Sequence, residues 1–396
     1  MHDSHAALRT LPWHPGAAEP QRLALARQRF FEDGVRPAGQ VADAVFHSWQ
    51  RCLQSGLRPE RHPCFEPISR SRVSYLAARD HGLLKAAQRP FDELQAAVAR
   101  SHCKVLLTDR DGMLLRVTPA PRQDGPVLHA ACRVGVDLRE GLTGTTAPSL
   151  AAQSRASCTV HGGEHFHELL GQMYCAAAPI RNRHGIVVAV LDLSIEGQPF
   201  GFDARWLVQS YASTIEDRLR IAQTRQQVLL RLHSAPASLH APGAGLAAVD
   251  EGGRVSWLNP AAAGLIGVRS EDARQFRVEA LLGCGIDALL AATRAPAPQA
   301  LPLPNGLTVW LEAEFRPLGD ADDGAETAAT TGSPAGDTET EAPAPELPSG
   351  TLAQLSRKLI EEALAACDGN VSLAARRLGV SRGLLYRRLQ GKTHDA

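Results

Sequence analysis

Residues 161–167 read His-Gly-Gly-Glu-His-Phe-His, which places three imidazoles and a carboxylate within one short stretch. Imidazole nitrogens and carboxylates are ligands for first-row transition metals. Cys158 and Cys175 flank the same stretch and raise a second chemistry, a thiol nucleophile with His161 as its base. The spacing argues against both. H-x3-H-x-H matches no closed zinc pattern, and neither cysteine has an identifiable third group to orient the base. The eight cysteines, at 52, 64, 103, 132, 158, 175, 284 and 367, form no C-x-x-C pair. They read as reduced, mostly buried thiols. The expectation is therefore no resident metal, no cofactor and no catalytic set, and a chain that is not an enzyme. A redox or hydrolytic enzyme working from this region is the alternative from a different class.

A second stretch, GNVSLAARRLGVSRGLLYRRLQ over 369–390, carries five arginines and one tyrosine. Its spacing predicts a helix-turn-helix. Asn370 or Ser372 caps a helix with Val371, Ala374, Ala375 and Leu378 inward, Gly379 makes the turn, and Ser381 caps a second helix. Leu385 and Leu389, four apart, mark the buried stripe of that second helix. At about 100° per residue, Gly383, Leu384, Arg387 and Arg388 then face away, with Arg382 and Tyr386 on the flank. This is the form of a recognition helix for the major groove. Arg382, Gly383, Leu384 and Arg387 are expected at base edges, and Arg376, Ser381, Tyr386 and Arg388 on phosphates. Residues 351–396 hold eight Lys/Arg and four Asp/Glu, a local charge of +4 in a chain of net charge zero. This segment resembles the C-terminal domain of the Fis family.

The elements in front of it divide the chain. Residues 317–350 contain eight acidic residues, five prolines and no Lys or Arg, and read as a disordered acidic linker, 319–350. Further forward, Val45, Trp49, Cys52 and Leu53 recur at helical spacing within 42–57. Two more helical segments follow, near 69–80 and 82–101. Strands with turn punctuation come next: KVLLTD (104–109) and MLLRV (113–117) around a DRDG turn, then 157–161, 174–180 and 186–194, with a helix near 145–153. Tyr211, Ile215, Leu219, Ala222, Leu229 and Leu232 step by three, four and seven, which predicts one helix over 203–233 of about 46 Å at 1.5 Å per residue. A strand–DEGG–strand pattern and an Asn-Pro-Ala-Ala-Ala helix start open the segment at 244. The fold class is multidomain α+β: an antiparallel sheet with helices, a smaller α+β domain, and an all-α corner at the C-terminus.

SWQRCLQSGL, EGLTGTTAPSLA, VHGGEHF, CAAAPI and GIVVAVLDLS, in that order, resemble the amino-terminal half of the acetoin and glycerol catabolism regulators. The resemblance implies a helical lead-in (1–80), a GAF-like sensor domain (81–200), a signalling helix (201–235), a PAS-like domain (244–318) and the DNA-binding corner (351–396). The PAS-like segment is expected to hold no cofactor, because it contains no His to ligate haem and no Asn-Cys-Arg run. The matching motifs imply a small-molecule pocket lined by Thr143, Thr145, Cys158, His161, His165 and Cys175. Where that family carries an Asn-Ala-Ile-Gly-like run, this chain has Leu142–Thr143–Gly144–Thr145, which implies an altered pocket.

Relatives of this kind carry a sigma-54-interacting ATPase before the Fis-type corner. Here Gly391–Lys392–Thr393 is the sole GKT, and Tyr386 stands where a P-loop needs its first glycine. The expected function is a metabolite-responsive DNA-binding regulator of catabolic genes, or a motor-less relative that represses or competes. The implied partners are a double-stranded DNA operator, a small-molecule effector, a second copy of the chain as a homodimer, and RNA polymerase. The N-terminus has no basic and apolar leader, and no run approaches about 18 apolar residues, so the expected location is the cytoplasm, with no membrane partner.

Overall fold

The computed structural model describes residues 18–119 and 125–317. The acidic linker and every residue expected to touch DNA, Arg376 to Arg388, lie outside the described residues. Three helices open the described residues: α1 (Ala18–Arg27), α2 (Asp43–Gln54) and α3 (Arg70–Arg79), with a turn of π-helix, Gln28–Glu32, after α1. On α2 the apolar spacing puts Val45, Phe46, Trp49 and Cys52 in the interior. Helix α4 (His81–Ala97) follows, buried along Leu83, Ala87, Phe91 and Leu94.

Strands β1 (Lys104–Asp109) and β2 (Leu114–Val117) form the expected hairpin. Asp109 Oδ1 closes its turn by accepting from Asp111 N and Met113 N, both at 2.9 Å. Gly112 there has φ +92°, and a Cβ on it would meet Arg139 N at 2.8 Å, so only glycine fits. Short helices α5 (Pro126–Ala131), α6 (Glu140–Thr143) and α7 (Ala147–Ser154) precede β3 (Cys158–His161), β4 (Met173–Arg181) and β5 (Val187–Glu196). The sheet is antiparallel in the order β2-β1-β5-β4-β3. Its central strands are covered on both faces, which is why KVLLTD and VVAVLDLS read as nearly continuous apolar runs. One face packs on α4 and on α8 (Ala204–Gln223) through Val105, Leu107, Leu191, Leu193, Val208 and Ile215. Each such side chain contributes roughly 1.5–3 kcal/mol by leaving water.

The long helix expected over 203–233 is corrected by the structure. Helix α8 ends at Gln223, and Gln227–His233 is a strand, β6. Thr224 is extended at ψ 116°, its Oγ1 donates back to Arg220 O at 2.8 Å, and Gln226 takes φ 55°. The leucines that suggest a heptad alternate instead. Val228, Leu230 and Leu232 face one core and Leu229 the other, so burial on both sides imitates helical density. The helix's apolar stripe is also used within the chain, against the first sheet, rather than left for a twin.

β6 is the middle strand of a second antiparallel sheet, β8-β7-β6-β10-β9, so this unit starts well before residue 244. Its other strands are β7 (Gly245–Val249), β8 (Val255–Leu258), β9 (Gln299–Pro302) and β10 (Thr308–Arg316). Helices α9 (Pro260–Ile266), α10 (Val278–Leu282) and α11 (Ile286–Ala292) cover one face. The opposite face, with Leu229, Leu246, Ala248 and Trp257, receives Ile221 from the end of α8.

Candidate ligand site

The lead-in is fixed to the first sheet's loops by two latches. Arg27 donates from Nη1 to Gly163 O and His165 O, at 3.1 and 2.7 Å, and from Nη2 to Phe166 O at 3.1 Å. Its guanidinium lies over the Phe31 ring at 4.8 Å. Phe31 in turn lies tilted against Trp49 and edge-on to Phe166, and Trp49 Nε1 donates to Glu164 O at 2.8 Å. The second latch is Glu140, at the start of α6. It accepts from Arg51 Nε and Nη2, each at 2.8 Å, from Gln153 Nε2 at 3.0 Å, and from the Ser48 hydroxyl. Burial alone would raise its pKa, but these donors outweigh that and lower it.

The residues expected to line one pocket divide between the lead-in contact and the sheet. Thr143 is fully buried and spends its hydroxyl on Arg139 O at 3.2 Å. Thr145 Oγ1 meets Ser48 Oγ at 2.7 Å and lies 3.9 Å from Cys52 Sγ, so it belongs to the lead-in contact. His161 caps the turn Gly162–Glu164 and stands beside the Tyr174 ring at 5.6 Å. His165 is buried, with Nδ1 3.0 Å from Gly162 O. Burial pushes it down to about 4, so it is neutral at physiological pH and a donor to that carbonyl. Among the described residues no group of three or more His, Cys, Asp or Glu is arranged to hold a metal ion.

Cys158 and Cys175 share the remaining face of the first sheet. Cys158 Sγ donates to Ala147 O at 3.4 Å, and burial pushes its thiol up to about 12, with Asp192 adding to the effect. Cys175 is buried and raised well above an ordinary thiol for the same two reasons. Neither offers a thiolate at neutral pH.

At the centre of that face stands a residue that none of the sequence motifs singles out, Asp192 of β5. It is fully buried. Ser194 Oγ donates to Asp192 Oδ2 at 2.6 Å and lies 3.2 Å from Cys175 Sγ. Burial raises the Asp192 carboxyl to about 7, against the opposing hydrogen bond from Ser194. Asp192 Oδ1 and Thr108 Oγ1 of β1 are buried and have no hydrogen-bond partner. Leu106 is opposite Asp192 and Thr108 opposite Val190, so the two bare oxygens are diagonal neighbours across one strand pair. Apolar groups flank them: Leu106, Leu114, Val136 and Leu138 on one side, Val127, Leu128, Ala177 and Val190 on the other. The signal available in sequence is an acidic residue inside the apolar run VVAVLDLSI.

Two segments of the chain match known families. Residues 19–217 match the MimR N-terminal domain, and residues 351–390 match the Fis family of bacterial regulatory proteins. The acetoin catabolism regulatory protein of Cupriavidus necator is 30% identical over 232 residues, 56% of this chain and 35% of that protein. The propane 2-monooxygenase operon transcriptional activator MimR of Mycolicibacterium smegmatis is 27% identical over 233 residues, 58% of this chain and 39% of that protein. The chain thus spans little more than a third of the length of these curated relatives. The crystal structure of the E. coli DhaR(N)–DhaL complex aligns with a TM-score of 0.44 at 15% identity, over 70% of this chain and all of that one. The expectation drawn from SWQRCLQSGL, VHGGEHF and the arginine-rich corner holds: the chain belongs to the MimR N-terminal domain family, among bacterial transcriptional regulators related to the acetoin catabolism regulator.

Proposed function

We propose that this protein is a DNA-binding transcriptional regulator whose first sheet domain binds a small uncharged metabolite and thereby changes affinity for an operator. The observation that carries the reading is the presence, on one chain, of a MimR N-terminal domain and a Fis-family segment. In this reading the first sheet with α4 and α8 is a GAF-like sensor, and the second sheet is a PAS-like relay without cofactor. Residues 319–350 serve as an acidic linker. Catabolic target genes are suggested by the relatives, whose names refer to acetoin catabolism and a propane 2-monooxygenase operon. Arg382, Gly383, Leu384 and Arg387 read base edges, while Arg376, Ser381, Tyr386 and Arg388 hold phosphates. The chain acts as a homodimer on a two-fold operator and communicates with RNA polymerase.

An effector can shift DNA affinity only through different affinities for two states of the protein. A coupling on the order of 10-fold, about 1.4 kcal/mol, is expected, and by linkage DNA changes effector affinity by the same factor. The test begins with selection of bound fragments from genomic DNA by the purified chain. Their affinity is then titrated with and without a deproteinised metabolite extract. Sequence-specific fragments whose affinity responds to the extract support the reading. Binding without sequence preference, or without any response, overturns it.

A further inference from the structure

The face of the first sheet opposite α4 and α8 is apolar except along one strip. Lys104, Asp192, Ser194, Thr108 and Cys175 lie on this strip, each at most 5% exposed, with the Lys104 ammonium donating to Thr118 O and Pro119 O at 3.4 and 2.8 Å. A carboxyl group removed from water costs several kcal/mol unless it is paired, so a buried aspartate with a bare oxygen calls for a physical reason. Ser194 satisfies Oδ2 alone, at 2.6 Å. Oδ1 remains bare, and so does the Thr108 hydroxyl diagonally across the β1–β5 pair. Diagonal partners on adjacent strands are separated by about 7–8 Å at their backbones and somewhat less at Cβ, a gap that one small polar group can bridge. A threonine hydroxyl both donates and accepts, whereas an ionised carboxylate only accepts. A group that completes both atoms at once must offer a donor to Asp192 and either a donor or a lone pair to Thr108, and a single bridging hydroxyl does so with its proton and its lone pair. The apolar clusters on either side suit a short carbon skeleton.

We propose that Asp192 Oδ1 and Thr108 Oγ1 form the recognition pair for the effector, a small uncharged molecule with a hydroxyl group that donates to Asp192 and accepts from Thr108. This inference rests on the effector reading above. It assigns recognition to the sheet floor, where Thr143 and Thr145, turned toward backbone and lead-in, take no part. It also accounts for a buried carboxyl kept in a strand where an apolar residue would pack at less cost. Such local departures from good packing concentrate at functional positions.

The test uses the full chain and four probes: ethane-1,2-diol, propane-1,2-diol, 1,2-dimethoxyethane, which keeps the oxygens without the donors, and 2-aminoethanol, which adds a cation. Binding is read by calorimetry and by thermal shift. The diols are expected to bind, with dimethoxyethane at least 10-fold weaker. Asp192→Asn and Thr108→Val, both near-isosteric, are each expected to weaken diol binding at least 10-fold while keeping the wild-type circular dichroism spectrum. Thr308→Val, exposed on the second sheet, serves as the control with wild-type affinity. The proposal is overturned if no diol binds, if dimethoxyethane binds as tightly, or if 2-aminoethanol binds more tightly than the diols. It is overturned equally if Asp192→Asn leaves affinity unchanged, which would make the bare atoms partners of an ordered water only. Should the extract still change DNA affinity in those cases, the effector reading survives and this assignment alone fails.

Discussion

Asn259 Nδ2 donates to Asp217 Oδ2 at 3.1 Å, joining the start of α9 in the second sheet domain to the last turns of α8 on the first. The same side chain uses its whole hydrogen-bonding capacity. Oδ1 accepts from Leu246 N and Ala262 N at 2.8 and 2.9 Å, and Nδ2 donates also to Ala244 O at 2.8 Å. Trp257 Nε1 adds a parallel tie to Thr224 Oγ1 at 3.1 Å. On its other side, α8 is held to β4 through Glu216, which accepts from Arg181 N at 2.8 Å and from Arg220 Nη2 at 3.0 Å. One helix therefore carries both contacts.

Asn259→Ala removes a helix cap and leaves buried backbone groups unpaired, so a loss of about 2–4 kcal/mol is expected. Asn259→Asp keeps the cap but turns a carboxylate toward Asp217 Oδ2 and Ala244 O, and should be at least as destabilising at pH 8. Urea unfolding of both variants measures this. A loss below about 0.5 kcal/mol for the alanine variant would mean that the joint is not held here.

Glu140 makes a second prediction. Its carboxylate gathers Ser48, Arg51 and Gln153, so Glu140→Gln should loosen α2 from the sheet domain and cost about 1–3 kcal/mol. Because its folded pKa is depressed, the stabilising contribution is complete above the unfolded carboxylate value. It is lost as pH falls through the folded one. Limited proteolysis should cut the α1–α2 region of the variant faster than that of the wild type at pH 7. Equal rates would show that the aromatic latch of Arg27, Phe31 and Trp49 suffices.

The first sheet is legible in the sequence because its strands are bounded by turn residues and its hairpins are local. β1–β2 and β4–β5 fall within a residue or two of the expected spans. Contacts made far along the chain are not legible. Thr145 meets Ser48 across 97 residues, a contact with the lead-in that the local spacing of EGLTGTTAPSLA does not announce. The α8–β6 boundary is hidden for a different reason. A strand buried on both faces has no alternation to separate it from a helix, and the break rests on the backbone of Thr224 and Gln226.

The corner at 369–390 supports a prediction from its spacing alone. Arg387→Ala should cost about 1–3 kcal/mol in operator affinity and relax preference at one base position. Arg376→Ala should weaken all sequences alike and reduce the salt slope by about one. Gel-shift titrations at several salt concentrations separate the two. Unchanged affinity in both variants would contradict the assignment of the second helix as the reading element.

Asp192 yields the last prediction, in which stability and recognition oppose each other. Its folded pKa, raised to about 7 chiefly by burial, lies above that of an unfolded aspartate. Between about pH 4 and pH 7 the folded chain then binds more protons than the unfolded one at this site, so its contribution to stability falls as pH rises through that window. Each tenfold change in proton affinity is worth about 1.4 kcal/mol, so the ionised carboxylate destabilises the fold by up to ~4 kcal/mol above pH 7. Asp192→Asn cannot ionise. It should therefore be more stable than the wild type at pH 8, match it more closely near pH 4, and show a flatter dependence between. The check is urea unfolding across that range, with Glu140→Gln as a second background to separate the acid limb. A stabilised Asp192→Asn chain that no longer binds diols would show a carboxyl kept for recognition at the expense of the fold. A variant with the wild-type pH profile would place the ionisation elsewhere.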